Sequence, residues 1–296
     1  MSDYVVPLRG PRVVADTTPA EFAETNSAYD LVVLDLDGTL LDPDKEAPIR
    51  PAVKAAVARV LEQGVGVTFA TGRTWNYARK RIQELGLSLP MVSSHGATLV
   101  AADGTVLSEQ HLDHDLAHDL AQRSHQLPEV FCFYYRHREN GRMVIRQNRA
   151  LQPMDVYHHL LGPDTLVEEN LGLYLDDHQV LKFVVFDDHP QATERWGQWA
   201  GPRAHVSRTH HLLVEGTAPG IDKGVGVKRL IEHLKLDPAR VLAVGDNYND
   251  LPMFAVAGTS VAMGQSPEAV RQAADWVAPS YVEDGVAAAL EHFILS

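Results

Sequence analysis

Short apolar strands alternate with helix-like segments from residue 31 onward, and this alternation constrains the fold more than any other feature. Residues 32–36, 65–70 and 91–93 are apolar runs that predict strands, and apolar positions between them recur at helical spacing. The same order returns late in the chain, around a buried strand at 241–244. It predicts an α/β fold, with a parallel sheet and helices on both of its faces.

The middle of the chain has a different pattern, which predicts a second domain. Two strand-like runs, 131–136 and 143–146, flank Asn140-Gly141, a dipeptide typical of hairpin turns. We interpret residues 107–210 as an inserted α+β domain. The core is then discontinuous, over 30–106 and 211–296, and the polar residues 1–29 form an N-terminal extension.

Charge and composition narrow the set of partners. The net charge of −13 disfavours nucleic acid and anionic membranes. No apolar stretch approaches a membrane span, and the N-terminus lacks a secretory pattern. The single cysteine, Cys132, lies in an apolar run and is expected to be a small buried hydrophobe, so we expect a cytoplasmic protein. The oligomeric state cannot be derived from these features.

Three aspartates mark the ends of two predicted strands. Asp35 ends the first strand, Asp37 follows it, and Asp246 follows the strand at 241–244. Ligands of open parallel sheets bind at the carboxyl ends of the strands. Buried carboxylates are costly without a compensating cation, and oxygen ligands suit Mg²⁺. The sequence therefore predicts that these acids meet at one divalent ion.

Further residues suit a phosphate group. Thr71 offers a hydroxyl and Gly72 a backbone N–H near a helix start, and Lys223 offers a point charge. Acids, a hydroxyl, an amine and a metal together indicate phosphoryl transfer. In that chemistry an aspartate carboxylate can be the nucleophile, and Asp37 can protonate the leaving oxygen and then activate water.

Four motifs resemble those of the haloacid dehalogenase superfamily, specifically its Cof-type sugar-phosphate phosphatases with a large C2-type cap. They are DLDGTLL (35–41), ATGR (70–73), DKGVG (222–226) and GDNYNDLPM (245–253). The tail YVEDGVAAAL (281–290) is also similar, and order and spacing agree over roughly residues 31–292. The resemblance implies a Rossmann-like core with residues 107–210 as the cap.

The resemblance also implies roles for individual residues. Asp35 would be the nucleophile and Asp37 the acid/base. Asp35 and Asp246 would bind Mg²⁺ through their side chains and Asp37 through its backbone carbonyl. Lys223 and Thr71 would bind phosphate, and Lys223 would also orient Asp35. Asn249 would contact the phosphate or the metal-bound water network. Asp250 would order Lys223 or a metal-bound water. One departure is His95, where the family often has asparagine.

Several residues have simpler interpretations. We expect Arg73 to be a surface or helix-start residue, with a substrate ligand as the alternative, and Asp250 to be either a helix cap alone or part of the site. His114 and His118 have metal-ligand spacing but are expected to lie on a solvated helix face. The remaining histidine pairs are adjacent in the sequence, namely His158-His159 and His210-His211. Neighbouring side chains in a strand point to opposite faces, so we expect neither pair to chelate a metal.

These features predict a Mg²⁺-dependent phosphatase that acts on a small phosphorylated metabolite, with sugar phosphates as the favoured class. Two alternatives stay open. One is a phosphomutase or phosphotransferase that passes the phosphoryl group to a second sugar. The other is a non-catalytic member that binds a phosphorylated ligand.

Overall fold

The structure is a computed structural model that describes residues 27–43, 47–139, 141, 143–150, 161 and 165–296. The predicted N-terminal extension lies outside these residues except for its last three positions. The strands are β1 Leu31–Leu34, β2 Gly66–Phe69, β3 Met91–Ser93, β4 Thr98–Val100, β5 Val106–Glu109, β6 Val130–His137, β7 Met143–Gln147, β8 Thr165–Val167, β9 His178–Phe186, β10 His205–His210, β11 Leu213–Thr217, β12 Val241–Gly245, β13 Thr259–Ala262 and β14 Trp276–Val277. The α-helices are α1 Pro51–Glu62, α2 Trp75–Leu85, α3 His114–Gln126, α4 Ala192–Ala200, α5 Lys223–Leu234, α6 Leu251–Phe254, α7 Glu268–Ala273 and α8 Gly285–Leu290.

A five-stranded parallel sheet forms the core, in the order β14-β13-β12-β1-β2. The central strand β1 pairs with β12 on one side and β2 on the other, and all four of its residues are fully buried. Its side chains alternate between two apolar clusters, Val32 and Leu34 on one face and Leu31 and Val33 on the other. This burial on both faces is typical of a parallel sheet covered by helices, and it confirms the predicted α/β fold.

Strand β3 departs from the simple parallel order. It touches the core sheet through one parallel bridge, Ala70 to Val92, and pairs mainly with β4 in a separate antiparallel sheet of β3, β4 and β5. A one-turn 3₁₀ helix, Ser94–Gly96, connects β3 to β4 and holds His95 at a left-handed φ of 55°. This turn brings His95 toward the end of β2.

A six-stranded sheet makes up most of the remaining structure, in the order β10-β11-β9-β6-β7-β8. The predicted hairpin around Asn140-Gly141 is present, because β6 and β7 pair antiparallel on either side of that dipeptide. Strand β11 pairs with β9 and β10, although the sequence analysis placed it in the core range 211–296. Leu213 and Val214 pack into the apolar clusters of this second sheet, which explains the difference.

Candidate active site

Asp35 lies at the carboxyl end of the central strand. Its backbone N–H donates to the Val244 carbonyl (2.9 Å), so the pairing of β1 with β12 continues one residue past the strand. The residue is 5% exposed, and Lys223 Nζ donates to its Oδ1 at 2.6 Å. Lys223 is the first residue of α5 and is itself buried, so the helix start fixes the cation beside the carboxylate.

Asp250 holds Lys223 from the other side. Its Oδ1 accepts from Lys223 Nζ at 2.5 Å, and its Oδ2 accepts from the backbone N–H groups of Asp246 (2.9 Å) and Asn247 (3.0 Å). The interpretation of Asp250 as a helix cap alone is therefore incomplete. Asp250 caps the turn at Tyr248–Asp250 and also pairs with Lys223.

Asp246 faces Asp35 across the gap between their strands, and glycine allows this approach. Gly38 has a φ of +87°, and a Cβ atom on it would lie 2.3 Å from Asp246 Oδ2. Thr39 Oγ1 donates a long hydrogen bond (3.4 Å) to Asp246 Oδ1. The turn after β1 therefore needs glycine so that the Asp246 carboxylate can reach the site.

Four aspartates, which we name the carboxylate cluster, converge here: Asp35, Asp37, Asp246 and Asp250. One carboxylate oxygen from each of Asp35, Asp246 and Asp250 lies within 4.8 Å of the others. The oxygens of Asp250 already accept three hydrogen bonds, which leaves Asp35 and Asp246 as the side chains best placed to hold an ion. An all-oxygen donor set of this kind fits a hard divalent cation.

The pKa values of this cluster show how poorly its charge is compensated. Burial raises the pKa of Asp35 to about 7 despite the opposing effect of Lys223, and nearby Asp250 and Asp37 raise it further. Burial and then the charge of Asp35 raise the pKa of Asp246 well above its ordinary value. Both carboxylates would gain from a bound cation, which is the compensation that the sequence analysis required.

Asp37 forms an ion pair that the sequence analysis missed. Arg73 Nε donates to Asp37 Oδ2 (2.7 Å) and Arg73 Nη2 to Asp37 Oδ1 (2.8 Å), and the guanidinium lies 4.3 Å from the Tyr77 ring centre. Burial acts to lower the pKa of Arg73, but the attraction of Asp37 outweighs it and raises the pKa. Arg73 directly precedes Thr74, the N-cap of α2, so it lies at a helix start as expected, and its largely buried side chain also pairs with a site aspartate.

Thr71 and Gly72 follow β2, beside the end of β1. Ala70 N–H donates to the Leu34 carbonyl (2.9 Å), which places this loop next to Asp35. Thr71 is fully buried, and its Oγ1 accepts from the Arg73 backbone N–H (3.1 Å), which leaves the hydroxyl hydrogen free to donate. The loop can therefore offer the O–H of Thr71 and the N–H of Gly72 to an anion.

A cavity of about 330 Å³ opens above Lys223, between the core and the second sheet. Two of its residues carry buried side-chain oxygens without a hydrogen-bond partner among the described residues, Asn249 Oδ1 and Thr193 Oγ1. The accessible surface of the cavity is mostly apolar. It is lined by His95, Thr193, His205, Val206, Ser207, Arg208, Asp222, Lys223, Tyr248, Asn249 and Pro252.

The histidine pairs do not form a metal site in the described part of the chain. The rings of His114 and His118 lie 4.4 Å apart on α3. The one group of three ligating side chains found in the residues described is Asp35, Asp246 and Asp250, so this pair lacks a third ligand. His158-His159 lies outside the described residues.

Two further site residues, Lys182 and Glu215, escaped the sequence analysis. Lys182 lies in the apolar strand β9 and Glu215 in the apolar strand β11, and both are buried. They pair with each other and approach the Thr71–Gly72 loop, since Lys182 Nζ donates to the Gly72 carbonyl (2.9 Å). A charged residue inside an apolar strand is the signal that singled out Asp35, and it would also have found these two.

Comparison with known proteins identifies the family. Residues 32–290 match the haloacid dehalogenase-like hydrolases, so the chain belongs to that family and the predicted membership is confirmed. The chain is 28% identical over 280 residues to a Bacillus subtilis (strain 168) 5-amino-6-(5-phospho-D-ribitylamino)uracil phosphatase, covering 89% of this chain and 97% of the relative. A haloacid dehalogenase-like hydrolase from Bacteroides thetaiotaomicron superposes with a TM-score of 0.73 at 27% identity, over 89% of this chain and 99% of that one.

Another relative matches over only part of its length. The chain is 26% identical to an Arabidopsis thaliana protein named chloroplastic endoribonuclease YBEY, and it spans 46% of that protein. The shared portion is therefore one part of a longer chain. No helix in the described part of the present protein is long and apolar enough to cross a membrane.

Proposed function

We propose that the protein is a Mg²⁺-dependent phosphatase that hydrolyses a small phosphorylated metabolite through an aspartyl-phosphate on Asp35. The observation that carries this proposal is the position of Asp35 in the site. Its carboxylate is buried at a strand end, held through Oδ1 by Lys223, and lies within ligand distance of Asp246. A bound Mg²⁺ would supply charge neutralisation for the phosphoryl oxygens and would be held by Asp35, Asp246 and the Asp37 carbonyl.

The chain's own residues account for the first chemical step. Asp35 attacks phosphorus, the bond from phosphorus to the leaving oxygen breaks, and Asp37 gives its proton to that oxygen. Lys223 keeps Asp35 oriented and favours its ionised form. Burial alone would lower the pKa of Lys223, but Asp250 and Asp35 outweigh burial and raise it, so the ammonium stays charged. Thr71 and Gly72 hold the phosphoryl oxygens.

Asp37 must change partner during this cycle. A bidentate pair with Arg73 stabilises the carboxylate, which is the form that activates water in the second step. To deliver a proton in the first step, Asp37 has to leave Arg73 and face the leaving oxygen. Water then attacks the phosphorus of the aspartyl-phosphate, Asp37 takes a proton from that water, and phosphate is released.

The cavity above Lys223 supports a small leaving group. Its volume of about 330 Å³ suits a compact metabolite, and its lining includes the polar residues Asn249 and Thr193. The Bacillus subtilis relative is named for a substrate with a phosphorylated ribityl chain, which is an open-chain sugar alcohol. We therefore favour sugar phosphates and related polyol phosphates, and we expect the protein to act in the cytoplasm.

A screen of phosphorylated metabolites tests the proposal. Purified protein is assayed for free phosphate with Mg²⁺ and with the metal removed by a chelator. We expect the protein to release phosphate from polyol phosphates when Mg²⁺ is present and not when the chelator has removed it. Transfer to a second sugar without free phosphate would identify a phosphotransferase instead, and no turnover of any ester would refute the proposal.

A further inference from the structure

A second buried charge group joins the core to the six-stranded sheet. We name it the interface cluster: Lys182 on β9, Glu215 on β11 and His95 after β3. Lys182 Nζ pairs with Glu215 Oε2, and His95 Nε2 lies 3.1 Å from the same oxygen. Thr209 Oγ1 donates to the other oxygen of Glu215 (2.6 Å), and Lys182 Nζ lies 4.4 Å above the Tyr134 ring centre.

The charges within the interface cluster balance. Burial acts to raise the pKa of Glu215, but the attraction of Lys182 outweighs it, so this pKa lies below its ordinary value. Burial lowers the pKa of His95 against the attraction of Glu215, which favours the neutral imidazole. One cation and one anion meet beside a neutral ring, so the interface cluster needs no additional ion.

The interface cluster and the neighbouring Ser94 donate hydrogen bonds to the backbone carbonyls of the Thr71–Gly72 loop and of Arg73. The Thr71 carbonyl accepts from the His95 backbone N–H (3.1 Å), the Gly72 carbonyl from Lys182 Nζ (2.9 Å), and the Arg73 carbonyl from the Ser94 N–H (3.0 Å). Three consecutive carbonyls are thus held, and one of the three donors comes from the second sheet. The His95 ring also packs so closely that a Cβ on Gly72 would lie 2.2 Å from it.

Because peptide units are planar, the hydrogen bonds to these carbonyls also fix the directions of the N–H groups that follow them. In a trans peptide the C=O and the following N–H point in opposite directions. Fixing the Thr71 carbonyl therefore fixes the Gly72 N–H, and fixing the Gly72 carbonyl fixes the Arg73 N–H. The Arg73 N–H in turn donates to Thr71 Oγ1 (3.1 Å). Because Oγ1 accepts this hydrogen bond, the Thr71 hydroxyl can still donate its own hydrogen to a ligand.

We propose that Lys182 is a positioning residue for phosphate binding: from the second sheet, its ammonium holds the Gly72 carbonyl and so aims the Thr71 hydroxyl at the substrate phosphate. This inference rests on the proposed function, in which Thr71 and Gly72 bind the phosphoryl group. Lys182 touches no reacting atom. It makes the shape of the phosphate loop depend on contact between the core and the six-stranded sheet.

Orthophosphate binding to the full chain in Mg²⁺ buffer, measured by calorimetry, tests this role without requiring turnover. The main variant is the double change Lys182→Met with Glu215→Gln, because removing both charges avoids an unpaired buried carboxylate. We expect orthophosphate to bind about tenfold more weakly, the magnitude expected for a lost oriented hydrogen bond to a charged donor. Turnover of p-nitrophenyl phosphate should show a comparable rise in KM with a fall in kcat.

Two further variants separate positioning from stability. Tyr135→Phe is the matched control, since it removes a buried hydrogen bond to the Leu171 carbonyl in the same sheet and should lower the melting temperature without changing phosphate affinity. Lys182→Arg keeps a charged donor of different geometry and should give an intermediate affinity. If only this variant folds, an intermediate affinity supports the proposal and a wild-type affinity contradicts it.

The outcomes are distinct. Wild-type orthophosphate affinity in the folded double variant, with only a lower melting temperature, would show that Lys182 is purely structural and would overturn the inference. A wild-type protein that binds orthophosphate yet hydrolyses no ester would refute the proposed function instead. In that case the comparison of affinities would still decide the role of Lys182 in shaping the loop.

Discussion

The carboxylate cluster and the interface cluster are both buried groups of charged side chains, but their charges are arranged differently. In the carboxylate cluster, four aspartates face two cations, Lys223 and Arg73. In the interface cluster, Lys182 faces Glu215 beside the neutral ring of His95. The first raises the pKa of Asp35 and of Asp246, and the second lowers the pKa of Glu215.

This difference shows what each cluster can do. A buried excess of negative charge is stabilised by a nearby cation, so such a cluster is suited to binding a metal ion. A balanced pair has no excess charge that calls for a further ion, and in the interface cluster it holds two elements together. Both clusters contain charged residues in or directly after apolar strands, and the sign and size of the local charge distinguish a binding site from a positioning contact.

The largest expected effect comes from removing the nucleophile of the carboxylate cluster. Asp35→Asn should lower turnover of p-nitrophenyl phosphate by at least about a thousandfold, because an amide cannot form the acyl phosphate. The metal-free variant should fold at least as stably as the wild type, since it removes one buried negative charge. The matched control is Asp30→Asn, at the opposite end of β1, which loses a pair with Arg240 and should keep its activity. Substantial turnover by Asp35→Asn would remove the covalent mechanism.

Asp246→Asn tests whether the excess charge serves an ion. The Mg²⁺ concentration for half-maximal activity should rise by at least about 100-fold, because loss of a ligand should exceed the 10–100-fold cost of losing an outer partner. Titration of activity with Mg²⁺ measures this shift. Asp237→Asn, before the opposite end of β12, should leave the Mg²⁺ requirement unchanged. An equal Mg²⁺ requirement in Asp246→Asn and the wild type would assign the ion to other residues.

A smaller effect is expected at the arginine that holds Asp37. Arg73→Lys keeps the charge but loses the two-point contact with the carboxylate, so kcat should fall by about tenfold with little change in folding. The pH dependence of kcat should shift as well, because Asp37 loses the partner that favours its ionised form. Arg79→Lys on the exposed side of α2 is the control and should behave as wild type. An unchanged pH profile in Arg73→Lys would show that the pair is not part of the cycle.

The smallest expected effect is the pH dependence of stabilisation by Mg²⁺. Because the pKa of Asp35 is raised to about 7 in the metal-free protein, its contribution to folding stability is lost as pH rises from about 4 through 7. Mg²⁺ binds the ionised carboxylates and offsets this loss. The increase in melting temperature with Mg²⁺ should therefore be larger at about pH 8 than at about pH 6. The corresponding difference in the free energy of unfolding is up to about 1.4 kcal/mol for each proton and pH unit. An equal or smaller increase at the higher pH would contradict the raised pKa.

The α/β fold followed from local pattern, and the closeness of Asp35 and Asp246 followed from parallel topology. The buried strand β1 and the acids at its end are adjacent in the chain, and parallel topology alone brings Asp246 beside Asp35. The hairpin around Asn140-Gly141 followed from turn chemistry in the same way. The roles of the site residues nevertheless remain predictions that the experiments above address.

The remaining features depend on tertiary contacts that no local pattern encodes. Strand β11 looks like any apolar run, and only its pairing with β9 assigns it to the second sheet. The partner of Arg73 lies 36 residues away at Asp37, and that of Lys182 lies 33 residues away at Glu215. The resemblance to a family covered motifs of the core, whereas the interface cluster lies mainly on strands without a motif.

The most direct test of the central claim is a mass measurement on Asp37→Asn reacted with p-nitrophenyl phosphate and quenched in acid. The nitrophenolate group leaves without a proton, so the first step should proceed, while the missing base should slow hydrolysis and let the intermediate accumulate. We predict one phosphoryl group on the peptide that contains Asp35, and none when Asp35 is also changed to Asn. Release of nitrophenolate with the phosphoryl group on a different residue, or on none, would contradict the account.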